Sequence, residues 1–348
     1  MRHCPFVLSI FLLIFIGCFP SHATSQGKKG NTITIAFYNL ENLYDTIDDP
    51  VTDDAEFTPS GTYKWGSKRY YEKLSHLAKV ISQIGDDQIM RGPALIGLAE
   101  VENKRVVEDL VNTPPLDKMS YKIIHYDSPD KRGIDVALIY QPKYFKVNGS
   151  KAIPFKITDK PEFFTRDILQ VSGTLKGQLL YILVNHWPSR SKGQKETASL
   201  RDAAADLCMA TVRNIQGIKP EAGIIIMGDL NDDPVDESVM THLKIKTTQD
   251  NLATGDLYDP MWKLFQDGKG SLEYKGTWNL FDQIIVSSSL MDNSLHGYHF
   301  SKADVFKRDW LVEKEGKYQG YPFRTFAGTN YMGGYSDHLP VYIYLDKK

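Results

Sequence analysis

Cysteine is nearly missing from this chain, with three in 348 residues, and two of them, Cys4 and Cys18, lie in the first apolar segment. Cys208 is left alone in the remainder, which excludes an intramolecular disulfide and marks it as a buried structural thiol. An excess of one charge is missing too: 41 Lys and Arg stand against 43 Asp and Glu, a formal net charge of −2. No overall basic footprint announces a nucleic-acid or membrane-surface binder, and only a local basic patch around a groove stays open. Long apolar runs are absent as well. The N-terminal "PFVLSIFLLIFIG" is too short for a comfortable membrane span; with Arg2 before it and "SHA" at Ser21 to Ala23 after it, residues 1–23 read as an export signal. In a second reading "FIGC" is a lipoprotein box lipidated at Cys18, the one route to a membrane. The expected location is periplasmic, secreted or lipid-anchored at the cell envelope. There is no internal repeat and no linker, so residues 30–348 form one domain, and a 42% hydrophobic, 24% charged composition suits a sizeable core.

From Thr32 onward short apolar runs alternate with helical patterns. "TITIAFYNL" reads as a strand, and "KRYYEKLSHLAKVISQIG" places Tyr70, Leu74, Leu77, Ile81 and Ile84 on one helical face. "ALIGLAEVEN", "YKIIHY", "DVALIY", "DILQVSGTL" and "QLLYILVNHW" supply further strands. A helix follows from about Lys195 to Ile215, with Leu200, Ala203, Ala204, Leu207 and Ala210 inward, and then the strands "GIIIMGDLN", "LFDQIIVS" and "LPVYIYL". Helices are too few to separate every pair of strands, so a sheet-on-sheet core with helices outside is expected. "FQDGKGSLEYKG" reads as a loop.

One transition recurs: an apolar strand opens into polar groups at Asn39, Glu100, His186, Asp229 with Asn231, Asp282, and Asp337 with His338. A single case is ordinary, since most strands end at water. Brought together, these groups would form a cluster of carboxylates, carboxamides and imidazoles that repels itself without a cation. Oxygen-rich ligands suit Mg2+, Mn2+ or Ca2+ better than zinc.

These motifs, in this order, resemble the endonuclease/exonuclease/phosphatase superfamily over nearly the whole stretch from Thr32 to Leu345. "FYNLENL" is similar to its first motif, "GLAEVEN" to its second, "GDLND" to its Gly-Asp-x-Asn motif and "SDHLPV" to its closing Ser-Asp-His. The resemblance implies an α+β, four-layer α/β/β/α sandwich of two mixed β-sheets, deoxyribonuclease I-like, hydrolysing a phosphate ester with a divalent metal, Mg2+ foremost. By the same resemblance Glu100 holds the metal, with Asn39 and Asp337 completing or supporting it. His338, oriented by Asp337, binds phosphate or acts as base; Asp229 positions or deprotonates the attacking water, and Asn231 bonds a phosphoryl oxygen. His186 binds phosphate or protonates the leaving oxygen, and Asp282 orients a histidine. Arg166 in "FTRDILQV" resembles an arginine facing substrate phosphate, and Asp127 or Asp135 is expected to partner His186.

Other residues keep blander readings. Arg190, Lys192 and Lys195 read as a solvated loop that could meet a polymer's phosphates, and the acidic run from Asp45 to Phe57 as a plain acidic loop. "TWNLFDQ" lacks the Cys and Arg of the inositol phosphatase signature, and a histidine stands at 186 where repair endonucleases have asparagine. A nuclease acting on DNA or RNA is therefore favoured, with a sphingomyelinase-like enzyme or small-molecule phosphatase as alternatives and an inactive binding module as the contrasting class. No stable protein partner is implied.

Overall fold

The computed structural model describes residues 32–85, 92–292 and 296–348; apart from Met1 and His3, the segment read as an export signal lies outside the described residues. The strands are β1 (Thr32–Leu43), β2 (Leu95–Val101), β3 (Lys122–His125), β4 (Asp135–Tyr140), β5 (Phe145–Ile153), β6 (Ile168–Leu175), β7 (Gln178–His186) and β8 (Gly223–Asp229). They continue with β9 (Leu257–Tyr258), β10 (Leu272–Tyr274), β11 (Thr277–Asn279), β12 (Asp282–Ser287), β13 (Tyr298–Val305), β14 (Phe326–Ala327), β15 (Asn330–Tyr331) and β16 (Val341–Lys347). The α-helices are α1 (Ser67–Gln83), α2 (Lys104–Val111), α3 (Gln194–Ile218) and α4 (Met261–Gln266).

Two six-stranded sheets carry the fold, one ordered β13-β16-β1-β2-β4-β3 and the other β5-β6-β7-β8-β12-β9. Each holds one parallel pair, β1 with β2 and β7 with β8. A parallel pair needs a crossover long enough to return the chain to the same end, and α1 and α3 supply the two crossovers. The sequence pattern explains the layering. Along β8 every residue is buried, with Ile225 and Met227 packing between the sheets while Ile224 and Ile226 pack under α3. Along β1, Ile33, Ile35 and Phe37 face the inter-sheet core and Ala36, Tyr38 and Leu40 face α1 and α2. A strand apolar on both faces has to be covered on both, which makes four layers: helices, sheet, sheet, helices. The expected four-layer α/β/β/α sandwich is the observed one. Gly228 sits where β8 approaches β7; a Cβ there would lie 2.3 Å from the carbonyl oxygen of Asn185.

Three stretches differ from their sequence reading or fill a gap in it. "FQDGKGSLEYKG" contains the hairpin β10–β11, whose turn places Lys275 and Gly276 at φ 53° and 85°. A Lys-Gly turn with both residues left-handed lacks the usual Asn-Gly or Asp-Gly signal. The acidic run closes on itself: Asp54 is buried and accepts from the backbone N–H of Asp49 at 3.2 Å. The aromatic stretch after His299 is structural, since Phe306 and Leu311 enter the core beneath α1. Cys208 is buried on α3, and burial pushes its thiol up to about 12, as expected of an unreactive side chain.

Asp259 offers a test of the core that does not touch the strand-end cluster. It is fully buried; its carboxyl accepts from the Met261 backbone N–H at 2.8 Å, its Oδ2 has no partner among the described residues, and burial raises it to about 7. A raised carboxyl means the native state holds a proton that the unfolded chain releases above about pH 4, so stability falls as pH rises from there toward 7. Asp259→Asn keeps the acceptor without the charge. Urea denaturation should show the variant near wild type at pH 4 and more stable by on the order of 2 kcal/mol at pH 8; a gap independent of pH would contradict this account.

Candidate active site at the end of the inter-sheet core

The strand alternation that fills the inter-sheet core also builds the site. Asn39 continues the inward series Ile33, Ile35, Phe37; His186 continues Leu180, Ile182, Val184; Asp229 continues Ile225, Met227; and Asp282 precedes Ile284 and Val286. Strand register brings them to one level. His186 pairs with Asp229 across β7 and β8, and Asp229 with Asp282 across β8 and β12. Glu100 is the exception that the alternation would send to the helix side. It adopts φ 60° where the β1–β2 and β2–β4 registers shift, and its Oε1 comes to 3.9 Å from His186 Nε2. Glu41, Asn42 and Asn231 also stand at positive φ, 52°, 53° and 52°. Left-handed non-glycine residues are costly and gather where surroundings hold a functional geometry.

At the centre, His338 Nδ1 lies 2.6 Å from Asp282 Oδ2, and its Nε2 is 3.9 Å from both Asp229 Oδ2 and Asp337 Oδ1. The Asp282 charge, with its hydrogen bond and the charges of Asp229 and Asp337, outweighs burial and raises His338 well above the ordinary imidazole value. His186 goes the other way: burial, and then the charges of Arg166, Arg132 and His338, lower it well below that value. The two rings are thus pushed in opposite directions, His338 toward the cation and His186 toward the neutral form. Asp229 Oδ1 accepts from Asn231 N at 2.9 Å and Oδ2 from Asn39 Nδ2 at 3.0 Å. Burial first, and Asp282 in addition, push the Asp229 carboxyl up to about 6. The neutral His186 Nε2 is 3.7 Å from Asp229 Oδ2, too far for a direct bond and suited to an intervening oxygen.

Several sequence-based assignments are corrected. Asp282, not Asp337, orients His338, because only Asp282 is within hydrogen-bond reach of the ring. Asp127 and Asp135 do not partner His186; they flank His125, at 3.7 Å from Nδ1 and 3.0 Å from Nε2. Arg166 does not face open solvent for substrate. It is buried, binds Asp130 at 2.9 Å and donates to the Trp187 carbonyl at 2.6 Å, since a buried guanidinium needs a counter-charge. Asn231 spends one amide hydrogen on the same Trp187 carbonyl at 3.0 Å, which leaves a single N–H for another acceptor. Arg190 is no solvated loop residue: it donates to Asn231 O and Asp232 Oδ1, both at 2.7 Å, and lies over the Phe281 ring.

Sequence reasoning missed Glu41 and Lys73. Glu41 accepts from the backbone N–H groups of Thr325 and Phe326, and burial, with Asp337 next, raises its carboxyl. Lys73 is fully buried on α1, bonded to Thr325 Oγ1 at 2.5 Å and 3.9 Å from Glu41. A lysine three residues after Tyr70 and one before Leu74, on the buried stripe of α1, was the available signal.

The oxygen donors Glu100, Asn39, Asp229 and Asp337 fit a hard divalent cation. Glu100 uses one oxygen on Asn42 N at 2.9 Å and keeps Oε1 toward the cluster, while Asp337 is one-third exposed. Ligand atoms of Asp229, Asp282 and His338 also lie within 4.8 Å of one another. With Nδ1 on Asp282 and a proton on Nε2, His338 itself is a poor ligand.

Two facing sheets with acid, amide and imidazole groups at one end define a metal-dependent phosphoesterase. The chain belongs to the Endonuclease/Exonuclease/phosphatase family, whose profile matches residues 34–347, and is a metal-dependent phosphoric ester hydrolase. Among curated proteins none matches the sequence. Solved structures share the fold. D. rerio TDP2, humanized by 14 mutations, is 15% identical with a TM-score of 0.56, covering 91% of this chain and 99% of that one. The human Nocturnin catalytic domain is 17% identical, TM-score 0.54, covering 91% and 95%. A Bacteroides thetaiotaomicron mannosyl-6-phosphatase is 15% identical, TM-score 0.54, covering 90% and 99%.

Asp282→Asn keeps a hydrogen-bond acceptor for His338 but removes the charge that holds the ring protonated. A raised histidine is cationic below its folded value and loses its charge as pH rises through it, so the substitution moves that loss to lower pH. The variant should lose roughly 10²-fold in turnover at pH 8, with the alkaline limb of its rate profile shifted down, measured on bis-p-nitrophenyl phosphate. A profile of unchanged shape would contradict the pairing.

Proposed function

We propose that the protein is an exported phosphodiesterase that cleaves DNA or RNA, using Mg2+ held by Glu100 with Asn39 and Asp337. The observation that carries this reading is the placement of two imidazoles on either side of one buried carboxylate, with His186 Nε2 3.7 Å and His338 Nε2 3.9 Å from Asp229 Oδ2. Cleaving a diester takes three tasks: neutralising the phosphoryl oxygens, removing a proton from water and supplying one to the leaving oxygen. An ion held there would neutralise charge at the phosphoryl and leaving oxygens. His338, a cation seated on Asp282, meets a non-bridging oxygen, and Asn231 offers its remaining N–H to another. Asp229, raised to about 6, is ionised at neutral pH yet basic enough to take the proton of the attacking water. Neutral His186 can hydrogen-bond the departing oxygen through its N–H without bringing a second cation into the pocket, and that oxygen takes its proton from solvent.

Support for a polymer substrate comes from D. rerio TDP2, solved in complex with a single strand DNA product. The mannosyl-6-phosphatase of the same fold marks the competing reading, a small phosphate ester. The export signal and its lipoprotein variant rest on the N-terminal sequence alone.

Plasmid DNA, RNA, mannose 6-phosphate and bis-p-nitrophenyl phosphate should be offered in parallel with Mg2+, with EDTA and with His338→Ala. Cleavage of nucleic acid, abolished by EDTA and reduced about 10²–10⁴-fold in the variant, is expected. Turnover of the phosphomonoester with both nucleic acids left intact would replace this reading by the phosphatase one.

A further inference from the structure

Beside the catalytic groups lies a hollow of about 330 Å³, lined by Lys160, Phe164, Thr165, Arg166, Pro188 and Lys192 among others. Its volume falls in the range of small-molecule and cofactor sites. It is joined to the catalytic end of β7: Pro188 follows His186 and Trp187 in the chain, and the Trp187 carbonyl accepts from both Arg166 and Asn231. Apart from Arg166, whose charge bears on His186, the mechanism uses none of its lining side chains.

One feature of its wall calls for a ligand: Phe164 is 45% exposed although it is a large aromatic. Its loop is tied down, with Phe155 N bonded to Asp167 Oδ1 at 3.1 Å and Phe163 set edge-on to Phe155 at 6.3 Å. The ring is therefore presented on a fixed support. Lys160 and Lys192 are exposed at the rim. The wall also carries two carboxylates, Asp130 and Glu196, but Asp130 is already neutralised by Arg166 at 2.9 Å. An exposed aromatic face and rim cations together match an unpaired nucleotide, which brings a flat base and a phosphate.

We infer that this hollow is a subsite for one nucleotide of a single strand, its base stacked on Phe164 and its phosphate between Lys160 and Lys192. The inference rests on the nuclease reading and adds to it the strandedness of the substrate and the residues that grip it.

The test uses fluorescein-labelled hexathymidylate and an abasic strand with the same backbone, titrated into the protein in EDTA so that nothing is cleaved. Phe164→Ala should weaken hexathymidylate binding about tenfold, the worth of one stacked base, and leave the abasic strand unaffected. Lys192→Ala should weaken both strands alike and flatten the salt dependence. Phe164 is exposed, so its truncation leaves the core intact. If Phe164→Ala binds hexathymidylate as wild type does, or loses both strands equally, the subsite is wrong; cleavage of hexathymidylate by wild type with Mg2+ then leaves the nuclease reading standing. Wild type that neither binds nor cleaves hexathymidylate overturns the subsite, and the nuclease reading falls with it only if plasmid DNA and RNA are left intact as well while bis-p-nitrophenyl phosphate is hydrolysed.

Discussion

Asp229 and Asp282 stand directly opposite each other on β8 and β12, both buried, and two like charges so placed in a sheet repel. His338 resolves the conflict, with Nδ1 on Asp282 and Nε2 toward Asp229. The arrangement needs the ring charged, and the ring stays charged because both carboxylates are there. Around this core triad the remaining groups find their protonation states: Asp229 ionised but basic, and His186, next to a second set of cations, neutral. The pair of sheets is the device that holds like charges close enough to be useful.

Holding His338 in place requires the segment before β16 to be fixed, and buried polar contacts do this. Ser336 Oγ donates to Asn39 O at 2.7 Å and accepts from His338 N at 3.1 Å, joining the end of β1 to the start of β16. Glu41 caps the backbone N–H groups of Thr325 and Phe326, and Lys73 reaches in from α1 to the same place. A buried Lys–Glu pair is seldom retained for stability, because desolvation offsets much of its attraction. Here it ties one outer helix to the loop that delivers Asp337 and His338.

Much of this was legible in the sequence because strand alternation is local. Ile225, Met227 and Asp229 share a face by parity alone, as do Ile35, Phe37 and Asn39, so the inward aim of the polar strand ends follows from spacing. What parity does not encode is which strand lies beside which. The choice between Asp282 and Asp337 as the partner of His338, and between His186 and His125 as the partner of Asp135, depends on register and loop path. Arg166 was misread for a related reason: an arginine ahead of a strand looks exposed until its buried partner, Asp130, is known. Glu100 breaks the alternation through a left-handed backbone, which no spacing rule announces.

The central claim is that one carboxylate is flanked by one charged and one neutral imidazole. Nitrogen-15 NMR of the histidine-labelled, metal-free protein at pH 7 tests it most directly, with His338→Gln and His186→Gln samples assigning the two rings. The account predicts that His338 carries protons on both nitrogens while His186 shows one protonated and one bare nitrogen. A neutral His338, or a doubly protonated His186, would contradict it.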